Sequence, residues 1–162
     1  MTDAALAPDL LGALLGALAS RPGAVPKHLY PSAGTLYPVQ AYVVLRSAAA
    51  QASAGSYYYD PDTHELASLS SETPSVPDGS TPAVLLLLAA QRAAIAPVYG
   101  EEAEAFCLLE AGYMTEALRN GARGLALRDA GDPATHADLI RACRLEDSHL
   151  PLVCLAVEET KR

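Results

Sequence analysis

The sequence has no tryptophan, a single phenylalanine, and only eleven basic residues against nineteen acidic ones. Its net charge is −8, and lysine and arginine never occur in a run longer than two. That leaves no electrostatic footprint for nucleic acid or for an anionic membrane surface. No apolar run reaches the roughly 20 residues that span a bilayer. The longest, residues 83–90, has the length of a buried strand. The leucine-rich start carries Asp3 and Asp9 where an export signal places positive charge, so the expectation is a cytoplasmic protein. The three cysteines, Cys107, Cys143 and Cys154, lack C-x-x-C spacing and sit in apolar surroundings, which reads as small buried hydrophobes rather than disulfides. His136 and His149 have no acidic or thiol partner at metal spacing, and Asp129, Asp132 and Asp138 form no calcium loop, so no metal site is expected. Hydrolase and P-loop signatures are missing as well.

What the chain does contain is enough apolar material for a core: 51% of its 162 residues. One domain over residues 1–162 is expected. Leu10, Leu11, Leu14, Leu15 and Leu18 mark one stripe of a helix over 9–19, closed by Pro22-Gly23. Residues 39–46 read as a strand. Residues 56–60 and 65–69 flank the turn Pro61-Asp62-Thr63-His64 as a hairpin. Residues 70–82, rich in Ser, Thr and Pro, read as an exposed loop. Residues 83–90 read as a strand buried on both faces. A helix is expected over 101–122 with Phe106, Leu109, Tyr113 and Ala117 on one face. Gly112 in its middle costs about 1 kcal/mol against alanine, which suggests close packing or a ligand there. A short helix over 135–143 and a last strand over 150–157 complete the order. This is neither a βαβ series nor an all-β pattern, and it predicts an α+β sheet with helices packed against it.

Residues 30–38, Tyr-Pro-Ser-Ala-Gly-Thr-Leu-Tyr-Pro, concentrate the chemical signal. Pro31 and Pro38 fix φ at both ends. Ser32, Ala33 and Gly34 are small enough for the backbone to approach a flat ligand, and Ser32 and Thr35 add hydroxyls. On the residues alone, an ordinary Pro/Gly turn entering a strand is the readier explanation. His28 reads as an incidental loop histidine. Glu110, the one carboxylate at the apolar start of the long helix, is either a buried functional group or on the solvent side. Arg119 and Arg123, four apart on one helix face, either line a pocket for an anion or are solvated near Glu116.

The segment resembles the flavin-binding loop of the SagB/McbC-type (azoline oxidase) branch of the nitroreductase superfamily. In that branch a Pro-Ser-small-Gly-x-Leu-Tyr/His-Pro stretch precedes a strand. Three further stretches keep the family's order and spacing: the hairpin running through Gly55, Tyr57, Tyr59, Asp60-Pro61, His64 and Leu66; Leu108-Leu109-Glu110-Ala111-Gly112-Tyr113; and the closing strand at 150–157. The resemblance implies a nitroreductase-like, mixed and mainly antiparallel sheet flanked by helices. It also implies an FMN-dependent oxidoreductase acting on an azoline or peptidyl-type intermediate in natural-product biosynthesis. Pro31, Ser32, Ala33, Gly34 and Leu36 would contact the flavin, Tyr99 would stand at the active site, and a homodimer or pairing with a related subunit would complete it. A carrier-protein or peptide substrate fits the same picture.

The sequence departs from the pattern in three places. Residues 1–20 lack the Arg-rich segment that grips the FMN phosphate, which leaves Arg21, Lys27, Arg119, Arg123, Lys161 and Arg162 as substitutes; Arg119 and Arg123 are the chosen pair. The family's Lys-Tyr pair becomes Val98-Tyr99. The long helix is more polar after Gly112. A catalytically silent scaffold or partner subunit of a biosynthetic complex is therefore the competing expectation.

Overall fold

The computed structural model describes residues 8–25, 27–48 and 52–160. Lys161 and Arg162 lie outside them, as do residues 1–7. Helix α1 (Pro8–Gly16) leads into the 30–38 loop, and strand β1 (Val39–Leu45) follows. The hairpin is β2 (Gly55–Asp60) and β3 (Glu65–Ser70). After the 71–83 loop come β4 (Val84–Gln91), α2 (Arg92–Tyr99) and α3 (Ala103–Gly121). The chain ends with β5 (Leu125–Asp129), α4 (Ala137–Ala142) and β6 (His149–Glu159). No helix among the described residues is long and apolar enough to cross a membrane.

The six strands form one sheet in the order β3-β2-β1-β4-β6-β5. Every pairing is antiparallel, so the mixed sheet expected from the sequence is here wholly antiparallel among the described strands. The unbroken apolar run of β4 is explained by its place: it pairs with β1 on one side and β6 on the other, and both faces are covered. Period-two alternation sends Val43, Leu45, Leu86, Leu88, Leu155 and Val157 to the face that α1, α2 and α3 cover. Tyr42, Val44, Leu85, Leu87, Cys154 and Ala156 go to the opposite face, where Val76, Leu139 and Cys143 close over them. The long 70–82 loop is thus partly a lid on the second core layer. All three cysteines are buried and free. Burial pushes the Cys143 and Cys154 thiols up to about 12, which leaves them unreactive.

Two elements escape the sequence reading, α2 and β5. The face of α3 also differs from the expected one. Its buried residues are Ala103, Cys107, Glu110, Ala111, Met114 and Leu118, while Leu109 and Tyr113 are exposed and Phe106 is half-buried. The face turned to the sheet mixes small residues and Glu110 with Met114 and Leu118, while Leu109 and Tyr113 of the expected stripe point outward. Gly112 is exposed too, and a Cβ there would meet nothing within 4 Å. Packing among the described residues does not require this glycine.

Candidate functional site

The 30–38 loop is held in an uncommon backbone. Gly34 takes a left-handed φ of 59°, and Thr35 and Tyr37 follow at 57° and 47°. Side-chain-bearing residues adopt this region at a cost of order 1–3 kcal/mol each, and such residues cluster at functional sites. Local hydrogen bonds sustain the turn: Tyr37 N–H donates to Ser32 Oγ at 2.9 Å, and Thr35 Oγ1 donates to the Gly34 carbonyl at 2.6 Å. Tyr37 also closes an aromatic group with Tyr30 and His28. His28 is tied down on both sides, its ring Nδ1 2.9 Å from the Leu18 carbonyl oxygen and its backbone N–H donating to the Tyr37 hydroxyl. It is a structural histidine.

Tyr99 ends α2 and packs against Phe106, the rings tilted at 51° with centroids 4.6 Å apart. A Cβ built on Gly34 would lie 2.9 Å from the Tyr99 hydroxyl. The open side of Gly34 therefore receives the chain's own tyrosine. The small residue is needed for this approach as well as for its φ.

Beside this contact a cleft of about 220 Å³ opens between the loop and α3, lined by Pro31, Ser32, Ala33, Phe106, Leu109, Glu110 and Tyr113. Its walls are mostly apolar and hold no lysine or arginine. Glu110, only 2% exposed, is its charged member. Val39 N–H, where the loop enters β1, donates to Glu110 Oε1 at 3.0 Å. Oε2 has no hydrogen-bond partner among the described residues. Leaving such an acceptor unmet inside a protein costs about 1–3 kcal/mol.

Burial raises the Glu110 pKa, opposed by the nearby Ser32 hydroxyl and the Val39 amide. The adjoining Tyr30 hydroxyl is raised as well, first by burial and then by the charge of Glu110. The native state thus holds the Glu110 proton to higher pH than the unfolded chain does. Stability gained in this way is present below the ordinary value of 4.5 and is lost as pH rises through the folded-state pKa. Glu110→Gln cannot ionise. Denaturation midpoints followed from about pH 4 upward should therefore shift in favour of the variant as pH rises. Parallel curves would mean that Glu110 carries no burial penalty.

The structure brings Pro31, Ser32, Ala33, Gly34 and Tyr99 to one place. Leu36 stands exposed on the same loop. Arg119 and Arg123 do not join them. Arg119 lies nine residues beyond Glu110, about 14 Å along the axis at the ordinary helical rise, and both arginines are exposed. Glu116 engages Asn120 rather than either arginine. The sequence offered no sign of the left-handed run through Thr35 and Tyr37, or of Phe106 as the partner of Tyr99. No group of acidic, histidine or cysteine side chains among the described residues could hold a metal ion.

No family model matches the chain. Indigoidine synthase of Dickeya dadantii is 32% identical over 140 residues, which make up 80% of this chain but 9% of the synthase. The chain therefore spans about a tenth of the curated relative it matches. Among solved structures, a candidate nitroreductase of Ralstonia eutropha matches with a TM-score of 0.80 at 19% identity, over 99% of this chain and 77% of that one. The Escherichia coli microcin synthetase McbBCD complex with truncated pro-MccB17 bound contributes a match with a TM-score of 0.80 at 21% identity, over 98% of this chain and 65% of its own. The chain has the nitroreductase-like fold. The nitroreductase-like fold that the resemblance of residues 30–38 implied is borne out.

Proposed function

We propose that the chain is an FMN-dependent oxidoreductase of the SagB/McbC-like type, acting on an azoline or peptidyl-type intermediate in natural-product biosynthesis. The observation that carries this reading is the cleft itself: a strained glycine-containing loop laid against α3, with apolar walls and one buried carboxylate, on a nitroreductase-like sheet. Those features fit a flat ring system with a polar edge. Pro31, Ser32, Ala33, Gly34 and Leu36 would line the ring, and Tyr99 would stand beside it. Arg119 and Arg123 are the cations proposed for the phosphate. When bound, the flavin would supply the hydride-accepting chemistry, while the protein orients the substrate and excludes water.

A second copy of the chain is the proposed partner. Leu108, Leu109, Tyr113 and Val98 leave a broad apolar surface exposed. Glu101, Glu102 and Glu104 stand at one end of it and Arg119 and Arg123 at the other. Glu101 and Arg123 are equally far from Gly112 in sequence, so an antiparallel crossing of two α3 helices near Gly112 would set acid against base. A carrier-protein or peptide substrate could then approach the shared cleft. These names in the relatives support the biosynthetic setting, and no more than that.

The test is uptake of FMN by the purified protein. Flavin absorbance, a raised melting temperature with excess FMN, and a dimer mass in sedimentation are expected, because a ligand that binds only the native state must stabilise it. A colourless protein that gains no stability with FMN would overturn the reading. That result would favour a silent nitroreductase-like scaffold or partner subunit, a role to which Val98 in the lysine position and the distance of both arginines from the cleft already point.

A further inference from the structure

The turn that joins β2 to β3 takes no part in the redox reading, yet its last residue borders a second cavity. This space of about 360 Å³ lies between α1 and the β2–β3 hairpin and shares no lining residue with the cleft against α3. Its size is that of a small-ligand pocket. Leu11 and Leu15 of α1 and Leu66 of β3 give it apolar walls. Gly12, in the middle of α1, lines it too, and a Cβ there would meet nothing within 4 Å. A glycine inside a helix is destabilising relative to alanine. No packed neighbour accounts for this one, and its effect is to leave the cavity open.

One polar group is fixed at the wall. His64 holds a left-handed φ of 57°, and its Cε1 lies 3.8 Å from where a Cβ on Gly16 of α1 would stand. The ring Nδ1 is 2.7 Å from the hydroxyl of Tyr59, a side chain only 2% exposed. Burial first, and then the charge of Asp60, push that hydroxyl up to about 12, so it keeps its proton. Nδ1 is its hydrogen-bond partner among the described residues, and the hydroxyl therefore donates to Nδ1. The ring's own proton then sits on Nε2, which has no partner among the described residues and belongs to an exposed side chain. The lining thus offers a donor. It holds no lysine or arginine, and the carboxylate of Glu65 stands in it, which disfavours an anion.

We propose that the cavity between α1 and the β2–β3 hairpin is a second binding site, taking a small neutral carbonyl compound with an apolar body whose oxygen accepts the His64 Nε2–H. The site goes beyond the redox reading and does not depend on it.

Acetophenone and α-methylstyrene make the probe pair, alike in shape but carrying C=O and C=CH₂ respectively, and benzoate serves as the anion. The full chain is titrated and followed in a nitrogen–proton correlation spectrum. Acetophenone should move the Gly12 and Leu66 amides and leave those of Ala33 and Glu110 in place, while benzoate should move none of the four. Gly12→Leu puts a side chain into the open space. Its melting temperature should hold or rise, and the shifts caused by acetophenone should be lost. His64→Gly removes the donor at a φ that glycine accepts. In that variant the affinity ratio of acetophenone to α-methylstyrene should fall about five-fold, the worth of one ordinary hydrogen bond.

No binding of acetophenone, shifts at Ala33 and Glu110 in place of Gly12 and Leu66, or benzoate moving the Gly12 amide would overturn the proposal. So would a ratio unchanged in His64→Gly, which leaves His64 as a pin for Tyr59 only. A lower melting temperature for Gly12→Leu would show that the space is not open, with the same consequence. Failure of the chain to take up FMN bears on the redox reading alone and leaves this site standing.

Discussion

Leu86→Ala should cost about 2–5 kcal/mol of stability, the range for deleting a fully buried leucine where the surroundings cannot collapse. Leu86 is 0% exposed and lies mid-sheet, opposite Val43 on β1 and Leu155 on β6. Its side chain belongs to the cluster beneath α1 and α3, so the cavity would be enclosed by a sheet on one side and helices on the other. Backbone pairing on both edges of β4 prevents the strand from settling inward. Urea or heat denaturation checks this, and Leu86→Met, which nearly conserves volume, should cost less than about 1.5 kcal/mol. Equal losses for the two variants would mean that packing volume is not what Leu86 contributes.

Gly55→Ala is the second large effect, and here two opposing terms must be compared. Alanine in place of glycine restricts the unfolded chain, a gain of about 0.4–1 kcal/mol where the native backbone accepts it. The native backbone does not accept it here. A Cβ on Gly55 would lie 2.6 Å from the Ser70 carbonyl oxygen, a backbone atom that cannot swing aside. Gly55 also pairs with Leu45 on β1, so relief must come from opening the ladder between β2 and β3. Overpacking of this kind costs about 1–3 kcal/mol and sometimes more. The clash outweighs the entropy gain, and a lower denaturation midpoint is expected. An unchanged or higher midpoint would show that the ladder yields at this end without penalty.

Much of the sheet was legible because its strands carry their own signals. The β4 run is apolar without interruption, and the β2–β3 turn is written in Pro61 and Asp62. The helix α2 was hidden by Pro97, which normally argues against a helix interior but is accommodated near the end of this one. β5 was missed because an edge strand with only Leu125 buried has little pattern to read.

The misreading of α3 is the most instructive. Periodicity gives weight to bulky apolar residues, and Phe106, Leu109 and Tyr113 do recur at helical spacing. The sheet, however, takes the side of α3 bearing Ala103, Cys107, Glu110 and Ala111. Where pattern and burial disagree, something other than core packing has shaped the sequence, and the cleft lies on that face. The loop motif marked the candidate site, but the residues packed against the loop could not be read from it. Glu110 and Tyr99 are brought to the loop only by the way the chain returns across the sheet.

The central place of β4 also bears on how the chain is made. Once synthesis has passed Gln91, β1 and β4 can zip together, yet the other edge of β4 stays open until residues 149–159 have emerged. For that interval an apolar strand presents unpaired amides and carbonyls, the condition in which nascent chains stick to one another. A ladder joining residues so distant in sequence also forms late, as high contact order dictates. Yield during expression should therefore depend on temperature and chaperone supply more than the finished sheet would suggest.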